Sequence, residues 1–264
     1  EKIGKLLSPS SVAMAGVSGK NPSNPANIIL SCFINSGMRK EDIFLIHPKE
    51  DEISGIKCVR SVEEMLAMRG GRPVDCMVVG VPARIAGPLT MEAMSLSAAH
   101  SYQIISAGFG ETEAGKGIQK ELENKIESLS SDPARRPVVN GPNTVGNICG
   151  RISTIFTPGH KSSRTGRGAK NAALLCQSGA FMITRMSDFA DMISPSVAVS
   201  VGNQMDLSVV DFLEFLIEDK SIDCYGLYIE GLKPGEGLRL MKLLDRARSA
   251  GKHVVLYKSG RTKE

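Results

Sequence analysis

Residues 14–19 read MAGVSG: an apolar run stops at Gly16 and opens into a loop, KNPSNP, ahead of a second apolar run, NIILSCFINSG. Gly16 permits a tight turn, and the small Ser18 and Gly19 let a ligand approach the main chain. Asn24 is placed to cap a helix whose first residue is Pro25. Free N–H groups and the helix dipole at such a point favour a phosphate; a plain strand-to-helix turn is the competing reading. The glycine spacing is not G-x-G-x-x-G. A dinucleotide site also wants an acidic residue at the end of the second strand, to hold the ribose diol. The second apolar strand instead ends in IHPKEDE, with His47, Pro48 and Lys49 first. A lysine there suits a phosphorylated ribose or a pyrophosphate, although Glu50, Asp51 and Glu52 follow closely.

Further loops of the same kind lie downstream. In GVPAR, Val81 and Pro82 stand where the chain leaves a strand, and Pro82 stiffens the exit. In SAGFGE, Ser106, Ala107, Gly108 and Phe109 make a floor of small residues with one apolar wall, between which an adenine fits. Ser178 lies in CQSGAF at a strand-to-helix turn and admits three readings. A nucleophile is disfavoured, because Cys176 and Ala180 replace the glycines of G-x-S-x-G and no histidine is placed as its base. A helix N-cap and a phosphate cradle built with the N–H groups that follow both remain. Glu230 closes the apolar strand LYIEG, where a carboxylate can orient a cationic or imidazole group, or can be a loop glutamate only.

The elements that must position these residues alternate between short apolar runs and amphipathic stretches. Strands are expected at Ser11–Ala15, Ile43–Ile46, Asp75–Val81, Tyr102–Ser106 and Pro137–Asn140, with a further one at Ser153–Phe156. Helical patterns fall at 25–36, 61–69, 86–99 and 115–130. The second half repeats the pattern, with strands Ala172–Cys176, Ser196–Val201, Tyr225–Ile229 and Val254–Lys258, each followed by a polar or glycine-rich loop. Alternating strands and helices with continuously apolar strands imply an α/β protein whose parallel sheets are covered on both faces. Open sheets of this kind bind ligands at the carboxyl ends of their strands. TPGHKSSRTGRGAK, with no hydrophobic period, marks a linker at 157–170. The expected division is therefore a first domain over 1–156 and a second over 171–264.

Composition bounds the function. Of 264 residues, 42% are hydrophobic and 23% charged, as in folded soluble domains. The net charge of +4 is too mild to imply nucleic acid but suits an anionic small ligand. With 5% aromatic residues and no Trp, stacking platforms for single strands are not expected. The six cysteines include no C-x-x-C pair and read as reduced, mostly buried residues; no metal site is expected. Neither a signal peptide nor an apolar run of membrane length stands out, which points to the cytoplasm and away from membranes. The opening on Glu1 and the closing KSGRTKE are expected of a fragment.

In order, the stretches GVSGKNPSN, IHPKEDEISGIKCVRSVEE, VDCMVVGVPA, IISAGFGE, GPNTVGN, CQSGAF, SVGNQMDLSVVDFLEFLIED, YIEGLK and GKHVVLYKSGRT resemble the α portion of the NDP-forming acyl-CoA synthetases, along nearly the whole chain. That superfamily includes succinyl-CoA synthetase and ADP-forming acetyl-CoA synthetase, and the resemblance is nearer the second. It implies an N-terminal Rossmann-like CoA-binding domain followed by a flavodoxin-like ligase domain, truncated at its C-terminal end. The reaction implied is acid + CoA + ATP ⇌ acyl-CoA + ADP + phosphate, through an acyl phosphate and a phosphohistidine. Carried over residue by residue, the CoA loops are Gly16, Val17 and Ser18; Pro48 and Lys49; Val81 and Pro82; and Ser106, Ala107, Gly108 and Phe109, with Asn143 near the thiol. Ser178 and Gly179 would cradle the phosphohistidine, and Glu230 would orient its imidazole.

Thr144 stands where the family often has Cys or Ser, and His253 where it often has Pro. The family's phosphorylated histidine lies in a Gly/Ala-rich motif just after KSGRT. None of His47, His100, His160 and His253 occupies that motif, so no catalytic histidine is assigned. The ATP-grasp part, with ATP or ADP and Mg, is expected as a separate β-type subunit or a fused region. The chain alone is expected to bind CoA and turn nothing over. The competing readings are a non-enzymatic CoA-sensing module of a fused acyltransferase and an NAD-dependent oxidoreductase, which the opening glycine pattern and Lys49 disfavour.

Overall fold

A computed structural model describes residues 1–157, 168 and 170–260. The linker expected at 157–170, His160 included, falls outside the described residues except for Thr157, Gly168 and Lys170.

The first sheet is built from β1 (Val12–Ala15), β2 (Ile43–Ile46), β3 (Glu52–Ile53), β4 (Ile56–Val59), β5 (Val74–Val79), β6 (Ala99–Ile104) and β7 (Val138–Asn140), in the order β3-β4-β2-β1-β5-β6-β7. All pairs are parallel except β3 with β4. β1 is buried at all four positions because both faces are covered. Val12 and Met14 pack with Ile29, Leu30 and Phe33 of α2 (Pro25–Asn35), and with Leu6 and Leu7 of α1 (Lys2–Leu7). Ala13 and Ala15 face the opposite core, formed with α3 (Val62–Met68), α4 (Ala83–Ser95) and α5 (Glu113–Ser128).

The second sheet holds β8 (Asn147–Cys149), β9 (Ile152–Ser153), β10 (Ala172–Cys176), β11 (Val197–Ser200), β12 (Cys224–Ile229) and β13 (His253–Lys258), in the order β13-β12-β10-β11-β8-β9. α6 (Gly179–Asp188) covers one face, while α7 (Val209–Leu216) and α8 (Glu236–Ser249) join the core of the other. The strand expected at Ser153–Phe156 is instead the short β8–β9 hairpin. It pairs antiparallel with β11 and so belongs to the second sheet. Among the elements that the sequence pattern does not show are α1 and the β3–β4 hairpin, which turns at Ser54 and Gly55, both at positive φ.

The two sheets are joined by main chain as well as by side chains. The N–H groups of Asn203, Met205 and Leu207 donate to the carbonyls of Pro142, Gly141 and Val139, so the segment after β11 lies against the end of β7. Asp206, its side chain only 8% exposed, ties the junction, accepting from Arg136 Nη2 (2.6 Å) and from Val139 N (2.8 Å). Beneath it, Asn140 Nδ2 and Thr144 Oγ1 both donate to the Ser200 carbonyl (3.0 and 2.5 Å).

Candidate active site at two strand edges

In the first sheet, the chain winds outward from β1 to β2 and β4, then returns to place β5 on the other side of β1. The carboxyl ends of β1 and β5 are therefore a topological switch point, where loops diverge and leave a crevice. The second sheet does the same: β11 lies on one side of β10 and β12 on the other, so the ends of β10 and β12 form a second switch point. Gly16–Ser18 and Val81–Pro82 follow β1 and β5 at the first, Ser178–Gly179 and Glu230 follow β10 and β12 at the second, and Pro48–Lys49, Ser106–Phe109 and Asn143 follow the strands β2, β6 and β7 of the first sheet.

At the first, Gly16 has φ +107° and a Cβ there would lie 2.5 Å from the Gly80 carbonyl oxygen, so the turn admits only glycine. Val17 packs into the core. Ser18 is pinned by Asn27, whose Oδ1 accepts from Ser18 N and whose Nδ2 donates to Ser18 O, each at 2.8 Å. The Ser18 hydroxyl accepts from the N–H groups of Lys20 and Asn21 (both 3.2 Å). Asn24 caps α2 as expected, accepting from Ala26 N at 2.9 Å with Pro25 at the first helical position.

Pro48 and Lys49 are exposed on the loop after β2. His47 Nδ1 accepts from Lys49 N (3.2 Å) and Glu50 N (2.8 Å), so this imidazole shapes the loop. Arg60 holds the same loop from below. It donates to the carbonyls of His47 (3.0 Å) and Glu50 (2.5 Å) and pairs with Asp51. A cleft of about 350 Å³ between these loops is bordered by Ser18, Gly19, Asn27, Glu50 and Glu52. Its two carboxylates suit ribose hydroxyls or an amine edge; a phosphate is better matched by Lys49.

The remaining loops of the first edge are linked in series. Ser106 Oγ donates to the Val81 carbonyl (2.5 Å), and the Ser106 carbonyl accepts from Asn143 N (2.9 Å). Pro82 stands as N-cap of α4 without a side-chain acceptor. Ala107 is exposed and Gly108 is left-handed (φ +96°). Phe109 is not a wall of the crevice: it is fully buried in the core against α5 and supports the loop from below. Glu111, whose role no local pattern shows, accepts from Gly108 N (2.5 Å) and from Asn203 Nδ2 in the loop after β11 (2.6 Å). Burial alone would raise this carboxyl, but the hydrogen bonds from Asn203 and from neighbouring main-chain N–H groups outweigh it and hold the pKa below the ordinary value.

At the second edge, Ser178 caps α6, its hydroxyl accepting from Phe181 N at 3.3 Å. Gly179 is held close to its surroundings: a Cβ there would lie 2.5 Å from Val145 Cγ1. The N–H groups of Gly179 and Ala180 have no partner among the described residues. Glu230 is brought to the same edge by Gln177, whose Oε1 accepts from Glu230 N (2.6 Å) and Gly231 N (3.0 Å). Lys258 Nζ donates to the Glu230 carbonyl (2.5 Å). Local pattern does not reveal Gln177 and Lys258, which act on a loop 53 and 28 positions away, or Asn27, which reaches back nine positions to Ser18.

A polar cleft of about 390 Å³, lined by Gln119, Gln177, Asn203, Gln204, Gly231 and Lys233, brings together loops of the second edge and α5 of the first domain. An apolar hollow of about 260 Å³ beneath α6, lined by Leu174, Phe181, Met186 and Tyr257, offers almost no polar group and suits neither a phosphate nor a nucleotide. Cys176, at the end of β10, is no nucleophile, since burial pushes its thiol up to about 12. Among the described residues, no group of three or more His, Cys, Asp or Glu side chains is placed to hold a metal ion, and no helix is long and apolar enough to cross a membrane.

Residues 10–126 match the family model of the CoA binding domain, and residues 169–264 that of the succinyl-CoA ligase like flavodoxin domain. The chain carries a CoA-binding domain followed by a succinyl-CoA-ligase-like flavodoxin domain, and along its length it resembles the ADP-forming acetyl-CoA ligases. It is similar to Acetate–CoA ligase [ADP-forming] II of Archaeoglobus fulgidus, 30% identical over 261 residues that cover 97% of this chain and 36% of that protein. It is also similar to the Acetate–CoA ligase [ADP-forming] I subunit alpha of Pyrococcus furiosus, 31% identical over 97% of this chain and 52% of the subunit. Among solved structures, the apo dinucleotide forming acetyl-coenzyme A synthetase 1 of Ca. Korarchaeum cryptofilum superposes with a TM-score of 0.82 and 29% identity, over 98% of this chain and 53% of that one. The chain thus spans between about a third and a half of the length of these relatives. The Rossmann-like and flavodoxin-like assignments hold.

Proposed function

We propose that this chain is the CoA-binding and phosphoryl-site portion of an acid–thiol ligase that converts acid, CoA and ATP to acyl-CoA, ADP and phosphate. The observation that carries the reading is the pair of switch points, each lined by the residues the resemblance implies and connected through Asn143 and Asn203. The first edge takes CoA. Gly16, Val17 and Ser18 offer main chain, and Lys49 meets a phosphate. Val81, Pro82 and Ser106 to Phe109 form the second bank of the crevice, with Phe109 supporting it from the core. Asn143, exposed and left-handed at φ 59°, stands at the thiol end.

The second edge takes the travelling phosphoryl group. A metaphosphate-like group needs N–H donors and positioning more than covalent chemistry, and the uncapped N–H groups of Gly179 and Ala180 supply donors. Ser178 fixes that helix end, and Glu230 orients an imidazole. In the last step the CoA thiolate attacks the acyl carbon of the acyl phosphate, the C–O bond to phosphate breaks, and phosphate leaves. The phosphorylated histidine and the ATP-grasp part, with its nucleotide and Mg, lie on another segment or subunit. The division at 157–170 and a cytoplasmic location form part of the same reading. A CoA-sensing module would use the first edge and leave the second without a role.

The test is made on the full-length protein, or on this chain with its ATP-grasp partner. CoA binding is measured by calorimetry, and acyl-CoA formation is measured with ATP across a panel of carboxylic acids. Binding with turnover of at least one acid is expected. Binding without turnover, in a protein that continues into an acyltransferase, would replace the ligase with the sensing module. Stabilisation by NAD but not by CoA would overturn both.

A further inference from the structure

Glu111 lies at the meeting of the two halves of the molecule and uses both carboxylate oxygens. Oε1 accepts from Gly108 N, inside the loop 106–109, at 2.5 Å. Oε2 accepts from Asn203 Nδ2, 92 positions away in the loop after β11, at 2.6 Å. Asn203 is itself bound twice to the stretch holding Asn143. Its N–H donates to the Pro142 carbonyl (2.9 Å), and its Oδ1 accepts from Asn143 Nδ2 (3.4 Å). Asn143 N in turn donates to the Ser106 carbonyl. Four hydrogen bonds linking Ser106, Asn143, Asn203, Glu111 and Gly108, closed by the main chain between Ser106 and Gly108, therefore form a ring that passes from the first sheet's edge to the second's and back.

We infer that Glu111 is a positioning residue: through Asn203 it locks the 106–109 loop and Asn143 to the second domain, and so fixes the CoA thiol relative to the phosphoryl site. The inference rests on the CoA reading of the first edge. Carboxylate is the group this position needs, because both neighbours present donors. A side chain here must accept twice, once from main chain and once from an amide.

The donor pattern gives a test by complementary exchange. Asn203→Asp puts a second carboxylate against Glu111 and breaks the ring. Adding Glu111→Gln restores it: the glutamine oxygen accepts from Gly108 N, while its Nε2 donates to the new carboxylate, which still accepts from Asn143 Nδ2. In the full-length protein, with CoA affinity read by calorimetry and KM for CoA read in turnover, N203D is expected to weaken both by about tenfold. The double variant E111Q/N203D should return both to within about threefold of the unsubstituted protein. An N203D protein that binds as tightly as the original, or a double variant no better than N203D, overturns the clasp while leaving the CoA site in place. Failure of the unsubstituted protein to bind CoA overturns the reading of the site itself, and the clasp with it. Circular dichroism of each variant separates loss of the ring from loss of the fold. A folded N203D with the affinity defect is the supporting result, and an unfolded one shows that Asn203 serves the fold and overturns the positioning role.

Discussion

Gly16 and Gly117 show how position decides what one residue type contributes. Gly16 combines φ +107° with a Cβ site 2.5 Å from the Gly80 carbonyl oxygen. Gly16→Ala is expected to destabilise by about 1–3 kcal/mol or more in urea titrations, and to lower CoA affinity. Gly117 lies inside α5 with nothing within 4 Å of its Cβ position. Gly117→Ala is expected to stabilise by about 0.5–1 kcal/mol, chiefly by reducing the freedom of the unfolded chain. A loss of stability there would contradict the open space described around it. The role proposed for Lys49 is one of charge. Lys49→Glu should weaken CoA binding roughly tenfold at low salt, and by less at high salt as screening grows. An unchanged dissociation constant at both salts would remove Lys49 from the site.

At the scale of elements, what could be read in the sequence was what depends on near neighbours. β1, β2 and β10 were legible because strands covered on both faces are continuously apolar. The Asn24 and Ser178 caps were legible because cap chemistry reaches only two or three residues. β6 begins at Ala99, three residues before the expected Tyr102. The polar His100 and Ser101 hid it, and the Ser101 hydroxyl donates to the Asp75 carbonyl of the adjacent strand. The β3–β4 hairpin was hidden in an acidic loop, although Ser54-Gly55 is a two-residue turn. Gln177 and Glu111 could not be found from local pattern, because their partners lie 53 and 92 positions away. Phe109 read as a wall of the site because a lone aromatic among small residues fits a pocket or a core equally well.

The junction between sheets yields its own prediction. Asp206→Ala leaves Val139 N without its acceptor and removes the carboxylate partner of the Arg136 guanidinium, which keeps only the Pro137 carbonyl among the described residues. A loss of about 1–3 kcal/mol is expected, together with separation of the unfolding of the two halves into distinct steps. A single transition of unchanged midpoint would show that the carboxylate does not hold the sheets together.

For the whole molecule, pH and ligand act on the fold through simple linkage. Burial pushes the Cys76 and Cys176 thiols from 9.0 to about 12, and Tyr225 from 10.0 to about 12. Above pH 9 the unfolded chain releases these protons while the folded chain keeps them, so the unfolded state binds fewer protons and stability falls as pH rises from 9 towards 12. The stabilisation is fully present below pH 9. Melting curves from pH 7 to 10.5 should show this decline, and thiol reagents at pH 8 should leave Cys76 and Cys176 unmodified until the protein unfolds. Rapid labelling of either in the native protein would contradict their burial. CoA should act in the stabilising direction. At a concentration ~100 times its dissociation constant, it should add about 2.7 kcal/mol.

The most direct measurement is a crystal structure of the full-length protein with CoA bound. The nucleotide is expected in the crevice at the carboxyl ends of β1 and β5, with a phosphate within reach of Lys49, the thiol beside Asn143, and the Glu111–Asn203 contact closed over it. CoA seated elsewhere, with that crevice open to solvent, would contradict it.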